Sequence, residues 1–216
     1  MNIIYEDKYM IVCEKPAGLA VQNASFGRKD LESMVRTYLA ETGGKANPYL
    51  GIIHRLDQPV QGLVVFAKTP DAAADLSRQV QDGTMKKEYL AVVCGKLPKE
   101  AGTLENYLKK DPKKNTSAAV SKDTRGAKKA VLDYQVLRET DGRELVKISL
   151  RTGRHHQIRV QMAAAGAPLY GDRKYNPNTD GQNALALCAN HLVLKHPSSG
   201  KMAEFFCEPA EGFPIS

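Results

Sequence analysis

Short apolar runs, separated by polar and glycine-containing stretches, make up most of the chain, and six of them predict β-strands. The six runs are Met10 to Glu14, Leu63 to Ala67, Tyr89 to Cys94, Val131 to Leu137, Leu145 to Leu150 and Ala186 to Leu194. Each is bounded by turn-forming or charged residues and has the length of an ordinary strand.

Three other segments carry apolar residues at helical spacing. The first follows Asp30 and stops at Gly43-Gly44, the second starts at Thr69-Pro70 and ends at Gly83, and the third spans Ile158 to Ala165 before Gly166. Asp and Thr are common helix caps, Pro suits a first turn, and Gly suits a helix end. The order of elements is neither a strict strand–helix alternation nor all strand, which predicts an α+β domain with a mixed or antiparallel sheet.

The amino-acid composition indicates the size of the domain and the kind of partner that it could bind. The chain has 216 residues, of which 42% are hydrophobic and 25% charged, as in one globular domain with a substantial core. Lys and Arg number 31 against 24 acids, for a net charge of +7. This balance favours a polyanionic partner, although it also fits a merely basic, soluble protein.

Several classes of protein are not expected. The sequence has no run of about 18 apolar residues, and Met1 to Asp7 lacks the basic start and long apolar run of a signal peptide. Its four cysteines are scattered in apolar surroundings, which predicts reduced thiols in a cytoplasmic protein. No second ligand pair accompanies Cys188 and His191, and Ser199-Gly200-Lys201 lacks the upstream glycine of a phosphate-binding loop, so neither a metal nor a nucleotide cofactor is expected.

The segment His54-Arg55-Leu56-Asp57 is the strongest candidate for chemistry. It lies between the apolar residues 51–53 and the strand-like run from Leu63, and the intervening Pro59 and Gly62 suit a turn. This arrangement predicts Asp57 at a strand end, with its carboxylate directed into a cleft and His54 and Arg55 nearby. Taken alone, an Asp next to a Pro is better explained as a turn or helix-cap residue, because Asp is common there for local hydrogen-bonding reasons.

Two later segments decide between these interpretations. Three segments follow one another in the chain: His54-Arg55-Leu56-Asp57, Lys87-Glu88-Tyr89 and Gly153-Arg154-His155-His156-Gln157-Ile158-Arg159. In these segments and their order, the chain resembles the RluA-type pseudouridine synthases. The likeness extends from Ile4-Tyr5-Glu6-Asp7 and Glu14-Lys15-Pro16-Ala17-Gly18 to Gly171-Asp172-Arg173-Lys174-Tyr175, His191-Leu192 and His196-Pro197. The chain departs from many members at Val60, Gln61, His155 and Gln161, which bears on substrate choice and packing.

The resemblance implies a fold and an architecture. The expected fold is α+β, with a bent, mixed and mostly antiparallel central sheet, flanking helices and a central RNA-binding cleft whose floor carries Asp57. Residues 1–216 would form a single catalytic domain, and because the pattern begins at residue 3, no separate N-terminal RNA-binding domain is expected. We also expect the protein to be a monomer.

The resemblance further implies a cofactor-free isomerase that converts uridine to pseudouridine in a ribosomal or transfer RNA stem-loop. Asp57 would act on the ribose–base bond, Tyr89 would stack on uracil near C5, and Arg159 would keep the carboxylate ionised. The target base must leave its stack, and Arg55 would fill the space or contact a phosphate. The remaining predicted substrate-binding or RNA-binding residues are His54, Lys87, Arg154, His156, Gln157, Leu192, Lys113 and Lys114.

Several of these assignments have alternatives: Tyr89 also fits a core tyrosine on a strand, and a structural role is favoured for His54. The lysines between Lys109 and Lys129 predict either a phosphate-contacting rim or a solvated loop between two strands. We expect His155 and His156 to lie on a strand and to point in opposite directions, which favours packing and RNA contact over metal binding. Two competing functions are a non-catalytic RNA-binding protein, disfavoured because Asp57, Tyr89 and Arg159 are all present, and a metal-dependent hydrolase, for which clustered ligands are lacking.

Overall fold

A computed structural model describes residues 1–22, 27, 29–44, 46–179 and 183–214. Its contacts divide the chain into two compact units: the first unit is Met1–Lys87 with Ala189–Ala210, and the second unit is Glu88–Cys188 with Glu211–Ser216. The elements in chain order are β1 (Asn2–Glu6), β2 (Met10–Lys15), α1 (Leu31–Gly43), β3 (Gly51–Ile52), β4 (Gln61–Ala67), α2 (Pro70–Gln81), β5 (Lys86–Cys94), β6 (Ala101–Asp111), β7 (Thr116–Val120), β8 (Lys128–Thr140), β9 (Arg143–Leu150), α3 (Gln157–Ala164), β10 (Leu187–Lys195) and β11 (Met202–Phe206).

In the first unit, the strands lie in the order β1-β2-β4-β10, with β3 paired to β4 and β11 paired to β10. The pairs β1–β2, β2–β4, β3–β4 and β10–β11 are antiparallel. All seven residues of β4 are buried. This explains why Leu63 to Ala67 reads as a continuous apolar run, since a strand covered on both faces has no polar face to alternate with.

The two helices of the first unit begin and end close to where the sequence predicts. The Asp30 side chain accepts a hydrogen bond from the Ser33 amide at 2.8 Å, and the Ser33 hydroxyl accepts one from the Asp30 amide at 3.2 Å, so a reciprocal capping box starts α1. Gly44 ends α1 in a left-handed conformation. Thr69 caps α2 through the Ala72 amide at 3.2 Å.

In the second unit, the strand order is β5-β9-β8-β6-β7. Each neighbouring pair is antiparallel. The helix α3 follows β9 and contacts β6 and β7. Its Val160 packs with Leu108 and Ala130, and Tyr175 lies against the same cluster.

The predicted fold class is confirmed: the protein is α+β, with mixed, mostly antiparallel sheet structure and three helices among the described residues. The six predicted strands correspond to β2, β4, β5, β8, β9 and β10. Five further strands among the described residues were not predicted. Of the predicted lysines, Lys113 and Lys114 lie in the turn between β6 and β7, whereas Lys109 and Lys110 belong to β6 itself. No helix in the described part of the chain is long and apolar enough to cross a membrane. The single catalytic domain stays a prediction.

Candidate active site

Asp57 lies in the irregular connection between β3 and β4. Its backbone carbonyl accepts a hydrogen bond from the Val60 amide at 3.0 Å, which closes a turn through Gln58 and Pro59. Asp57 is partly buried, whereas Arg55 is exposed. The turn before a buried strand therefore lies where the sequence predicts it, and it places the partly buried Asp57 two residues after the exposed Arg55.

A buried cation supports this turn. Lys15, the last residue of β2, has no exposed surface. Its ammonium donates hydrogen bonds to the carbonyls of Leu19 at 2.6 Å, Pro16 at 3.0 Å and Gln58 at 3.1 Å. Burial lowers the pKa of Lys15 to about 8, and the negative charge of Asp57 acts in the opposite direction. Lys15 thus supplies positive charge near Asp57 and ties the Asp57 turn to the segment after β2.

Sequence reasoning did not assign Lys15 to the site. The available signal is a lysine at the end of the apolar run Met10 to Cys13, within a segment that carries the family resemblance. A lysine at a strand end is usually exposed, because its charge is costly to bury. The three carbonyl acceptors, which come from two separate loops, make burial possible here.

His54 and Lys87 also belong to the first unit. His54 is 9% exposed, and its Nε2 accepts a hydrogen bond from the Val65 amide at 3.3 Å. Nδ1 therefore carries the proton of the neutral ring, and it has no hydrogen-bond partner among the described residues. Burial, and then the charge of Lys87, hold the pKa of His54 well below its ordinary value. Burial also lowers the pKa of Lys87. His54 is thus a neutral donor near a cation.

Arg159 forms a buried ion pair with Asp172 in the second unit. Arg159 Nε donates to Asp172 Oδ2 at 2.8 Å, and Nη2 donates to Oδ1 at 2.7 Å. Oδ1 also accepts hydrogen bonds from the amides of Lys174 at 2.9 Å and Tyr175 at 3.2 Å. The two side chains are 4% and 0% exposed, so the carboxylate is satisfied by four donors inside the protein. The predicted pairing of Arg159 with Asp57 stays a prediction.

Tyr89 and Leu192 are both buried. Tyr89 is 5% exposed on β5, opposite Ile148 of β9. Leu192 is 1% exposed on β10 and pairs with Phe205 of β11. Tyr89 is therefore surrounded by protein on a strand of the second unit, and its contact with uracil stays a prediction, as does that of Leu192.

Gln157 and Arg154 organise the start of α3. Gln157 Oε1 accepts hydrogen bonds from the Thr152 hydroxyl at 2.8 Å and the Arg154 amide at 2.9 Å, while Nε2 donates to the Val131 carbonyl at 3.1 Å. Arg154 is exposed, and its Nε donates to the Lys129 carbonyl at 2.9 Å. Gln157 therefore holds the entry to α3 in place, whereas the exposed Arg154 can reach a ligand.

The prediction that His155 and His156 lie on a strand and point in opposite directions is wrong. They form a turn before α3, and His156 has a left-handed backbone with φ of 55°. This turn stacks the two rings, with centroids 3.8 Å apart and planes at 24°. His156 Nδ1 lies 2.6 Å from the Tyr175 hydroxyl. Burial, followed by the charge of Arg159, lowers the pKa of His156 to about 3.

Lys113 and Lys114 lie in the tight turn that joins β6 to β7, and both are exposed. Their amides donate to Asp111 Oδ1 at 2.9 Å and 3.2 Å. The two lysines therefore project from a hairpin rather than from a long loop. No group of three or more His, Cys, Asp or Glu side chains that could hold a metal occurs among the described residues.

Comparisons with known proteins agree on one family. The model of the RNA pseudouridylate synthase family matches residues 9–164, which is well over half of the chain. Ribosomal large subunit pseudouridine synthase D of Nitrosomonas europaea is 37% identical over 94% of this chain. The chain spans only 60% of the length of that relative.

A second relative matches along its whole length. Dual-specificity RNA pseudouridine synthase RluA of Yersinia pestis is 35% identical, and the match covers 96% of this chain and 98% of the relative. Among solved structures, Human RNA Pseudouridylate Synthase Domain Containing 4 superposes with a TM-score of 0.82 at 24% identity, over 98% of this chain and 90% of that chain. That likeness supports the fold.

Proposed function

The chain belongs to the RNA pseudouridylate synthase family, and we propose on this basis that it isomerises uridine to pseudouridine in structured RNA. The observation that carries the proposal is the family match across Asp57, Tyr89 and Arg159, together with the position of Asp57 in a turn supported by the buried Lys15. The ionised carboxylate is the form that can attack carbon or accept a proton.

The reaction breaks the bond between ribose C1′ and uracil N1 and forms a bond between C1′ and C5; C5 releases its proton and N1 takes one up. Nothing is oxidised and no group is lost from the RNA, so the chemistry requires no redox cofactor. In our proposal Asp57 either attacks C1′ or removes a proton from the ribose. Tyr89 orients the base and acts near C5, and Arg159 provides positive charge.

Access to the base requires it to leave its stack, which costs a few kcal/mol and less in a loop than in a duplex. Arg55 is exposed and lies two residues before Asp57. We assign to it the space vacated by the base or the neighbouring phosphate, because a planar guanidinium suits both roles. This assignment favours a single-stranded or loop uridine as the target.

The proposed RNA surface includes the exposed Lys113 and Lys114 at the β6–β7 turn and the exposed Arg154. The net charge of +7 supports a polyanionic ligand. One relative is named for the ribosomal large subunit and another for dual specificity. We therefore propose a stem-loop of ribosomal or transfer RNA as substrate, bound by a monomer.

Mapping pseudouridines in RNA from cells with and without this protein tests the activity and identifies the substrate together. We expect at least one site to disappear on deletion and to return with the wild-type chain, but not with Asp57→Asn. An unchanged map with retained RNA binding would instead favour a non-catalytic RNA-binding protein.

The salt dependence of RNA affinity tests the proposed surface. The logarithm of affinity should fall linearly with the logarithm of salt concentration, by about 0.7 to 0.9 per phosphate neutralised. Changing Lys113 and Lys114 to Glu should flatten that slope. Changing Lys96 and Lys99 to Glu, near the opposite end of β6, alters net charge equally and should change the slope less. Equal slopes for the two double variants would place the RNA path elsewhere.

A further inference from the structure

His155 links the β6–β7 turn to the turn that precedes α3. His155 Nε2 lies 3.1 Å from Asn115 Oδ1, and His155 Nδ1 lies 2.8 Å from the Ser117 hydroxyl. An amide oxygen only accepts, so Nε2 is the donor, and in the neutral ring Nδ1 accepts the hydroxyl proton of Ser117. A single imidazole thus contacts residues on either side of Thr116, directly after Lys113 and Lys114.

Tyr175 provides a second attachment of the same turn. Its hydroxyl oxygen accepts a hydrogen bond from the Ser117 amide at 2.8 Å and lies 2.6 Å from His156 Nδ1. Its own proton is therefore directed to His156, whose low pKa keeps that nitrogen able to accept. His156 in turn stacks on His155, which closes the network of contacts.

The network continues to the buried ion pair. The Tyr175 amide donates to Asp172, and the Arg159 guanidinium lies 5.1 Å from the centre of the Tyr175 ring. Lys174 adds a direct connection, because its ammonium donates to the Asn115 carbonyl at 2.6 Å. Residues 172–175 therefore connect the β6–β7 turn to the buried ion pair, because Lys174 and Tyr175 contact the turn and Asp172 pairs with Arg159.

We propose that Asn115, Ser117, His155, His156 and Tyr175 form a hairpin latch, in which His155 is a positioning residue that orders the β6–β7 turn for RNA binding. The inference rests on the proposed function for its ligand, and it concerns this chain's own residues. Lys113 and Lys114 project from a short turn and would sample many directions without the latch. Ordering the turn before RNA arrives lowers the entropy lost on binding.

Steady-state kinetics on the substrate RNA test the role of His155. His155→Ala should raise KM for RNA by about 5- to 30-fold, the range expected for one or two hydrogen bonds. The kcat at saturating RNA should stay within about 2-fold, because His155 has no place in the chemistry. A fall in kcat with unchanged KM would overturn the proposal.

A double-mutant cycle tests whether His155 affects RNA binding through Lys113 and Lys114. If His155 acts through the hairpin lysines, changing Lys113 and Lys114 to Ala should weaken RNA binding less in the His155→Ala background than in the wild type. Additive effects on directly measured RNA affinity would show that His155 acts elsewhere, and would overturn the proposal.

Amide hydrogen exchange tests the latch independently of any activity. The Ser117 amide should exchange at least about 10-fold faster in His155→Ala and in Tyr175→Phe, while amides of the β5–β9 pairing keep their wild-type rates. Unchanged Ser117 exchange in both variants would overturn the latch. Faster Ser117 exchange in an enzyme that forms no pseudouridine would support the latch and overturn the proposed function instead.

Discussion

Asp172→Asn is the substitution for which the structure predicts the largest electrostatic cost at nearly constant shape. The Asn side chain keeps one oxygen, which can still accept hydrogen bonds from the amides of Lys174 and Tyr175 and from Arg159 Nη2. In place of Oδ2 it presents an NH₂ group to Arg159 Nε, which is also a donor. The variant therefore loses one hydrogen bond, gains a donor–donor contact and removes the negative charge that faces a buried guanidinium.

The expected loss of unfolding free energy is about 3–5 kcal/mol, the range for removing one partner of a buried ion pair. Burial decides this magnitude, since the side chains of Arg159 and Asp172 are 4% and 0% exposed. At such a site water cannot replace the missing acceptor.

The second unit contains a matched control. Arg151 Nε donates to Asp133 Oδ2 at 2.6 Å, and Nη2 donates to Oδ1 at 2.9 Å, which is the same bidentate arrangement. These side chains are 62% and 35% exposed. Asp133→Asn should therefore cost no more than about 1 kcal/mol, as is usual for a solvated pair.

Urea unfolding followed by far-ultraviolet circular dichroism measures both variants, since the chain has no tryptophan for a fluorescence signal. The Asp172→Asn midpoint should shift several times further than that of Asp133→Asn, at similar dependence on urea. Equal losses of stability in the two variants would show that burial does not increase the contribution of the Arg159–Asp172 pair to stability.

Three further changes address other parts of the site. Burial lowers the pKa of Lys15 from its ordinary 10.5 to about 8 in the folded protein. Between these pH values the unfolded chain binds more protons, so wild-type stability should rise with pH there, by up to about 3 kcal/mol relative to Lys15→Met. Parallel pH curves from urea titrations would contradict this. Gly62→Ala should cost about 2–5 kcal/mol by thermal unfolding, because φ is 121° and a Cβ would lie 2.3 Å from the Ala189 carbonyl oxygen. Gly18→Ala, with open space around it, should cost less; equal costs would refute the clash. Tyr89→Phe should lower turnover in a tritium-release assay at unchanged RNA affinity, and full activity would leave only stacking to this ring.

Local signals explain which elements the sequence predicts well. Asp30 and Thr69 mark the starts of α1 and α2 because a cap is a contact between residues three apart. The run Leu63 to Ala67 predicts β4 because both of its faces are buried. In contrast, β6 carries exposed polar residues such as Thr103 and Glu105, and in β7 the exposed residues are Ala118 and Ala119 while Ser117 is buried. Neither strand therefore shows the regular apolar alternation on which strand prediction depends.

Long-range contacts explain most of what sequence reasoning missed in the site. Lys15 is buried because carbonyls of Leu19 and Gln58 reach it, and one of these lies 43 residues away. The ring stacking of His155 and His156 depends on a left-handed backbone at a non-glycine residue, which composition does not reveal. Asp172 lies in a segment that carries the family resemblance, yet its pairing with Arg159 appears only in the fold.

Tritium release from RNA labelled at uracil C5 tests most directly whether Asp57 carries the chemistry. Asp57→Asn is nearly isosteric and removes only the charge, so we expect it to fold, to bind RNA at least as tightly as the wild type with the same salt slope, and to release no tritium above background. Substantial tritium release by a folded Asp57→Asn variant would contradict the account.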